Sequence, residues 1–266
     1  VLHNVALIRK KTGLRKLLAF LKADAYGHGL PLIASIVDAC VDGIAVSSVN
    51  EVEVLKSQGI QTKIVLTSAR ITVELCEEMA EWGVDLVLYD LAHIELLQQA
   101  CLPADISVWL KVNTGMNRLG LPLSAVAKAL QALKAIERVS SVVLMTHCAT
   151  GDQPMHANTQ QQCERFQSLS SLHDGLMCFA NSAGIWALDS MWADWVRPGI
   201  SLYGISPFSD QQGSDLQLKP VMTMQAQVLA IQALKPGDTV GYGCRWTAQV
   251  STQIAVICLG YADGVP

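Results

Sequence analysis

The stretch LLAFLKADAYGHGL, residues 17–30, decides how this chain is read. Its first half is an apolar run suited to a buried strand. The run stops at Lys22 and breaks into a glycine-punctuated loop carrying Asp24, Tyr26 and His28, after which residues 30–40 take a helical pattern. Strand, polar loop and helix make one β–loop–α unit. A lysine at the end of such a strand is either a solvated cap or a buried amine, and burial of an amine lowers its pKa and makes it a nucleophile.

The same unit recurs along the chain. Strand patterns follow at GIAVSS (43–48), KIVLTS (63–68), VDLVLY (84–89), ISVWLKV (106–112), SVVLMTH (141–147), LMCFAN (176–181) and ADWVR (193–197). Between them the spacing predicts helices over 49–58, 71–82, 91–100, 124–136 and 155–173, with Ser48 and Glu51 spaced as a capping box. Eight strands with intervening helices predict an α/β fold, a (β/α)8 TIM-type barrel over residues 1–207. An open doubly wound sheet is the alternative, but no GxGxxG turn follows the first strand. FSDQQGSDLQLKP (208–220) is polar and turn-rich, and the remainder has strand propensity broken by turns. Residues 208–266 are therefore expected to begin a mostly β domain that is incomplete at Pro266.

Composition narrows the function. The 266 residues are 51% hydrophobic and carry a net charge of -4, with Lys and Arg scattered, so nothing resembles a nucleic-acid-binding stripe. No apolar run of membrane-spanning length appears. The chain opens VLHNVALIRKKTG, without an initiator Met or a signal-peptide pattern, and reads as trimmed rather than secreted. Its eight cysteines form no CxxC pair and no zinc spacing with histidine, which fits a reducing cytoplasm and predicts no metal site.

In a barrel, reactive side chains sit at the C-terminal ends of the strands. Lys22, His147 and the pair Asn181-Ser182 fall at such ends. After the last strand, WVRPGISLYG (195–204) would open a short helix at Gly199 and Ile200, where free N–H groups attract an anion. Ser182 and Tyr26 could add hydroxyls. A buried amine facing a phosphate anchor suggests pyridoxal phosphate, whose aldehyde a desolvated lysine readily captures.

LKADAYGHGL, LKVNTGMNRLG, MTHCATGDQP, FANSAG, DWVRPGISLYGISP, VGYGCRW and LGYADG occur in the order and at about the spacing of the alanine racemase family of pyridoxal-phosphate enzymes, and the resemblance covers nearly the whole chain. It implies interconversion of L- and D-alanine, supplying D-alanine for peptidoglycan, in a homodimer with shared active sites. Lys22 resembles the lysine that carries the cofactor and serves as acid and base on one face of the substrate. Tyr261 resembles the opposite-face base, supplied by the partner subunit. Arg197 matches the arginine on the pyridine nitrogen, and His147 the histidine linking that arginine to the tyrosine. Tyr26, Ser182, Gly199 and Ile200 match phosphate contacts. Arg118 matches the arginine near the substrate carboxylate, and Lys111 the lysine that the family often carbamylates.

Two positions depart from the family. Asn113 stands where many relatives have Asp, and Cys148 where Phe is common. A racemase for serine or for basic amino acids, and a non-catalytic pyridoxal-phosphate carrier, are the competing readings. The β segment and Tyr261 would be superfluous in a carrier, and decarboxylases sharing the barrel find no support in the motifs.

Overall fold

The structure is a computed structural model that describes residues 1–265. Eight strands, β1 (Lys16–Phe20), β2 (Gly43–Val46), β3 (Ile64–Leu66), β4 (Val84–Leu88), β5 (Ile106–Asn113), β6 (Val139–Met145), β7 (Met177–Asn181) and β8 (Trp195–Arg197), pair in parallel in chain order. Pairing of β8 with β1, Trp195 opposite Lys16, closes the ring. This is the (β/α)8 barrel expected from the sequence.

Alternation along each strand separates two cores. On β1, Leu17 and Ala19 pack toward the surrounding helices while Leu18 faces the barrel interior with Ala45, Val65, Val87, Trp109, Val143 and Trp195. Trp109 and Trp195 meet edge to face at 5.2 Å, and the Trp109 indole N–H donates to buried Asp85 over 2.9 Å. Lys63 bonds both Asp85 oxygens at 2.9 Å, so this interior carboxylate has partners for its charge.

The expected helices appear as α2 (Leu30–Val37), α3 (Val49–Ser57), α4 (Val73–Glu81), α5 (Leu91–Gln99), α6 (Val126–Lys134) and α7 (Ala157–Ser168), preceded by α1 (Leu2–Thr12) and followed by the short α8 (Ser182–Ala187). The capping box at Ser48 and Glu51 is formed. No helix among the described residues is long and apolar enough to cross a membrane. The sequence reading missed α1 because its buried side, Asn4, Val5, Ile8 and Thr12, is half polar and leaves no apolar stripe. Asn4 is a pin: it donates to the carbonyls of Leu202 and Lys219 and accepts the Lys219 N–H at 2.8 Å.

Contacts divide the chain into two compact units, Val1–Val221 and one beginning at Met222. The second holds two antiparallel ribbons, β9 (Val228–Leu234) with β12 (Thr252–Ile257), and β10 (Thr239–Val240) with β11 (Trp246–Thr247).

Candidate active site

The interior parity of the strands continues past their C-terminal ends. Leu18 and Phe20 lead to Lys22, Trp109 to Lys111, Val143 and Met145 to His147, and Trp195 to Arg197 and Gly199, each step skipping one residue as alternation requires. All these end residues line one cavity of about 520 Å³, joined by Tyr26, Arg118, Ser182 and Ile200. Tyr261 belongs to the second unit, in the turn Tyr261–Asp263, with its side chain 94% exposed.

Strand β1 stops at Phe20, so Lys22 does not end it but opens a left-handed turn: Ala23, Asp24, Ala25 and Tyr26 all have φ between 52° and 56°. Each such residue costs about 1–2 kcal/mol in a non-glycine side chain. Neighbouring groups hold the turn. Asp24 donates its N–H to Glu51 Oε1 at 3.2 Å, its own carboxylate accepts the Leu30 N–H at 2.6 Å, and Ala25 donates to the Leu21 carbonyl at 2.8 Å. Burial alone would push the Glu51 carboxyl up, but donors from Ser47, Asp24 and Ser48 outweigh it and hold the group below the usual range. Glu51 thus serves both as the capping-box acid of α3 and as an anchor for the Lys22 turn. The capping box was legible in sequence; the second contact was not.

The turn brings the Tyr26 hydroxyl against Gly199: a Cβ there would lie 2.7 Å from it. Burial pushes the Tyr26 phenol up, so it is a hydrogen-bond donor at neutral pH. Ser182 Oγ accepts from the Gly199 N–H at 3.0 Å and the Ser201 N–H at 3.3 Å, which leaves its own O–H free to donate. Ile200 opens a short 3-10 helix, Ile200–Tyr203, as expected.

Across the cavity stand cations. Lys22, Lys111, Arg118 and Arg197 line it, and Asp152 is the lone carboxylate among the described lining residues. Arg197 is 4% exposed and donates to the carbonyls of Thr146 and Phe179, while its Nε is buried with no hydrogen-bond partner among the described residues. Desolvation lowers its pKa without bringing an arginine near deprotonation. Lys111 is brought down to about 8, first by burial and then by Arg197, Arg118 and Lys22. The same burial and the same cations press His147 down to about 2, so its imidazole is neutral throughout the physiological range.

Asn113 Oδ1 accepts the N–H groups of Gly115 and Asn117, at 3.0 and 3.1 Å, and so shapes the loop that carries Arg118. Cys148 is buried against Thr159, with its thiol pushed up by burial. Three residues that sequence reasoning overlooked, Thr114, Thr146 and Gln162, form a buried polar network beneath these loops. Gln162 carried no signal, since a buried amide in an amphipathic helix looks like a surface residue.

Together the walls offer hydroxyl donors at one end, an unpaired guanidinium N–H and further cations beside them, and the primary amine of Lys22. The structure leaves Lys22 exposed at the cavity wall, because the left-handed turn carries it out of the strand, in place of the buried amine expected from the sequence.

Comparison with known proteins bears on the family and the fold. The family description "Alanine racemase, N-terminal domain" matches residues 1–207, and "Alanine racemase, C-terminal domain" matches 221–266. The chain is 37% identical over 266 residues to the alanine racemase of Nitrosococcus oceani and 39% identical over 264 residues to that of Azoarcus sp., covering 99% of this chain and 74% of each relative. It superposes on the biosynthetic alanine racemase of Pseudomonas aeruginosa with a TM-score of 0.94 at 32% identity, over 99% of this chain and 74% of that one. Against the Bartonella henselae alanine racemase with covalently bound pyridoxal phosphate, the TM-score is 0.85 at 28% identity, over 100% and 74% of the two chains. With its two domain matches, its relatives and its barrel in accord, the chain belongs to the alanine racemase family.

Proposed function

We propose that this chain is a pyridoxal-phosphate-dependent alanine racemase that moves the α-proton between Lys22 on one face of the substrate and Tyr261 on the other. The observation that carries the reading is the buried Arg197 Nε, without a partner among the described residues, in a cavity whose other members are an amine, phosphate-type donors and cations. A pyridine nitrogen, which is an acceptor, and a phosphate suit those two ends.

Lys22 Nζ would hold the cofactor covalently, Tyr26, Ser182, Gly199 and Ile200 its phosphate, and Arg197 its ring nitrogen. When bound, the cofactor supplies an electron sink that acidifies the α-C–H of an attached amino acid. Arg197, which keeps its own proton, would leave the ring nitrogen of a bound cofactor unprotonated and so make it a weaker sink than one held by a carboxylate. Arg118 supplies a cation for the substrate carboxylate. Neutral His147 can join Arg197 to Tyr261 by hydrogen bonds without adding charge. Tyrosine, with a reference pKa of about 10, needs cationic and hydrogen-bonding neighbours, here Arg118 and His147, to act as a base. Racemisation demands removal from one face and delivery to the other, which two fixed bases accomplish without a swinging group.

Tyr261 lies in the second unit with its ring exposed, which is compatible with service in the site of another subunit, and a homodimer with shared sites is part of the proposal. So are a cytoplasmic location, in keeping with eight free cysteines, and a role in providing D-alanine for peptidoglycan.

Borohydride reduction of the loaded protein followed by peptide mapping should label Lys22. Tyr261→Phe should slow α-proton exchange from L-alanine more than from D-alanine, because the lysine face is intact. A panel of alanine, serine and basic amino acids should show fastest interconversion of alanine. Label on another lysine, equal loss from both enantiomers, or preference for another substrate would each overturn the corresponding assignment.

A further inference from the structure

We propose that Gln162 is a positioning residue that locks the loop carrying Arg118 to the loop carrying His147, and that it must donate two hydrogen bonds to do so. The inference rests on the racemase reading for its effect on turnover, but the clamp itself stands on geometry alone.

Gln162 lies on α7 and is fully buried. Its Nε2 donates to Thr114 Oγ1 and to the His147 carbonyl, both at 2.9 Å, and its Oε1 accepts the Ala149 N–H at 2.9 Å. The hydrogens then have one consistent direction. Both Nε2 hydrogens are used, so Thr114 accepts from Gln162 and gives its own hydrogen to Thr146 Oγ1 at 2.8 Å, which in turn donates to the Val112 carbonyl at 2.8 Å. The reverse amide orientation would set N–H against the Ala149 N–H and oxygen against the His147 carbonyl. Gln162 therefore reads two loops at once with complementary ends.

Other contacts press the loops to the same helix. Arg165, one turn on, donates to the Thr114 carbonyl at 2.9 Å. Gly115, at φ +147°, brings the Arg118 loop so close that a Cβ would lie 3.2 Å from Gln162 Cγ. The Asn113 turn carries this fixed point onward to Arg118, and the Thr146 carbonyl accepts from Arg197. His147 through its carbonyl and Arg197 through the Thr146 carbonyl thus meet one buried network, which the loop carrying the exposed Arg118 joins at Thr114, and a partly satisfied state of that network is costly. The phosphate contacts at Ser182 and Gly199 lie on other loops.

The distinguishing variants are Gln162→Glu, which keeps the shape and the acceptor but loses both donors when ionised, and Gln162→Met, which loses all three bonds. In the natural full chain loaded with pyridoxal phosphate, both should lower kcat by roughly ten- to hundredfold, as a small misplacement of reacting groups does, while cofactor affinity stays within about twofold. Gln162→Glu should recover part of the loss as pH falls and the carboxyl regains one donor; Gln162→Met should show no such recovery. Amide exchange, measured without substrate, should rise at Ala149 and across Thr114–Arg118 together in Gln162→Met. Should either variant fail to fold, Thr114→Val, which removes the acceptor of one Gln162 bond and cuts the relay to Thr146 while leaving the bonds to His147 and Ala149, should lower kcat with the same sparing of cofactor affinity. Wild-type kcat in Gln162→Glu at all pH values, an equal loss of kcat and cofactor affinity, or exchange confined to one loop would overturn the proposal. If the wild-type protein racemises nothing, the functional reading fails and the exchange measurement alone decides the clamp.

Discussion

The Ser182 hydroxyl oxygen accepts the main-chain N–H of Gly199 at 3.0 Å, joining the loop after β7 to the loop after β8 at one point in the cavity wall. A phosphate held there would draw on the Ser182 O–H, which is free to donate, while the Gly199 N–H is already engaged by Ser182. Ser182→Ala should weaken pyridoxal-phosphate binding about tenfold, the equivalent of one hydrogen bond to a charged group. Gly199→Val should weaken it further, since even a Cβ meets the Tyr26 hydroxyl at 2.7 Å. Equilibrium dialysis reads both constants, and wild-type affinity in both variants would mean that the phosphate lies elsewhere.

Lys111 makes a stability prediction with a definite sign. Its folded pKa of about 8 lies below the ordinary lysine value of 10.5, so the folded state disfavours the charged form. Below pH 8 the burial penalty is fully present; between about 8 and 10.5 the unfolded chain binds more protons than the folded one, and stability rises with pH. Cofactor-free Lys111→Met should therefore be more stable than wild type at pH 7, by on the order of 3 kcal/mol, with the advantage shrinking toward pH 10.5. Denaturant titrations across that range test it, and a constant gap would show that Lys111 is not desolvated. The neutral amine present near pH 8 can also add carbon dioxide, releasing one proton to give a carbamate. Labelled bicarbonate should give a carbamate carbon resonance that Lys111→Met abolishes.

Gly120 closes the Arg118 loop back onto the end of β5. At φ +128°, a Cβ there would stand 2.7 Å from both Asn113 N and Val112 C, main-chain atoms that cannot step aside. Gly120→Ala should cost about 2–4 kcal/mol. Gly59 also has positive φ, +71°, but nothing within 4 Å of its would-be Cβ, so Gly59→Ala should cost about 1 kcal/mol. Urea unfolding of the two variants separates collision from backbone preference, and equal costs would count against the close approach.

Much of the barrel was legible because its signals are local. Gly43–Val46 and Ile64–Leu66 are short continuous apolar runs, and Ser48 with Glu51 announces the start of α3, so short-range pattern suffices. The misses depend on distant partners. Asn4 in α1 makes sense only against Leu202 and Lys219, more than 190 residues away. The left-handed turn at Ala23–Tyr26 contradicts local preference and persists through Glu51, supplied by the next β–α unit.

The sequence by itself determined which side chains could meet: the two-residue period of each strand sends Lys22, Lys111, His147 and Arg197 into the barrel mouth once the strands stand side by side. Their chemistry was decided by tertiary structure. A histidine pressed to about 2 and a lysine brought to about 8 owe those values to burial among one another's charges. The Gln162 amide acquires a direction only when two loops and a helix converge on it. Pattern along a chain sets which way a residue points, whereas desolvation and charge coupling act through space between segments far apart in sequence, and only the folded chain brings those segments together.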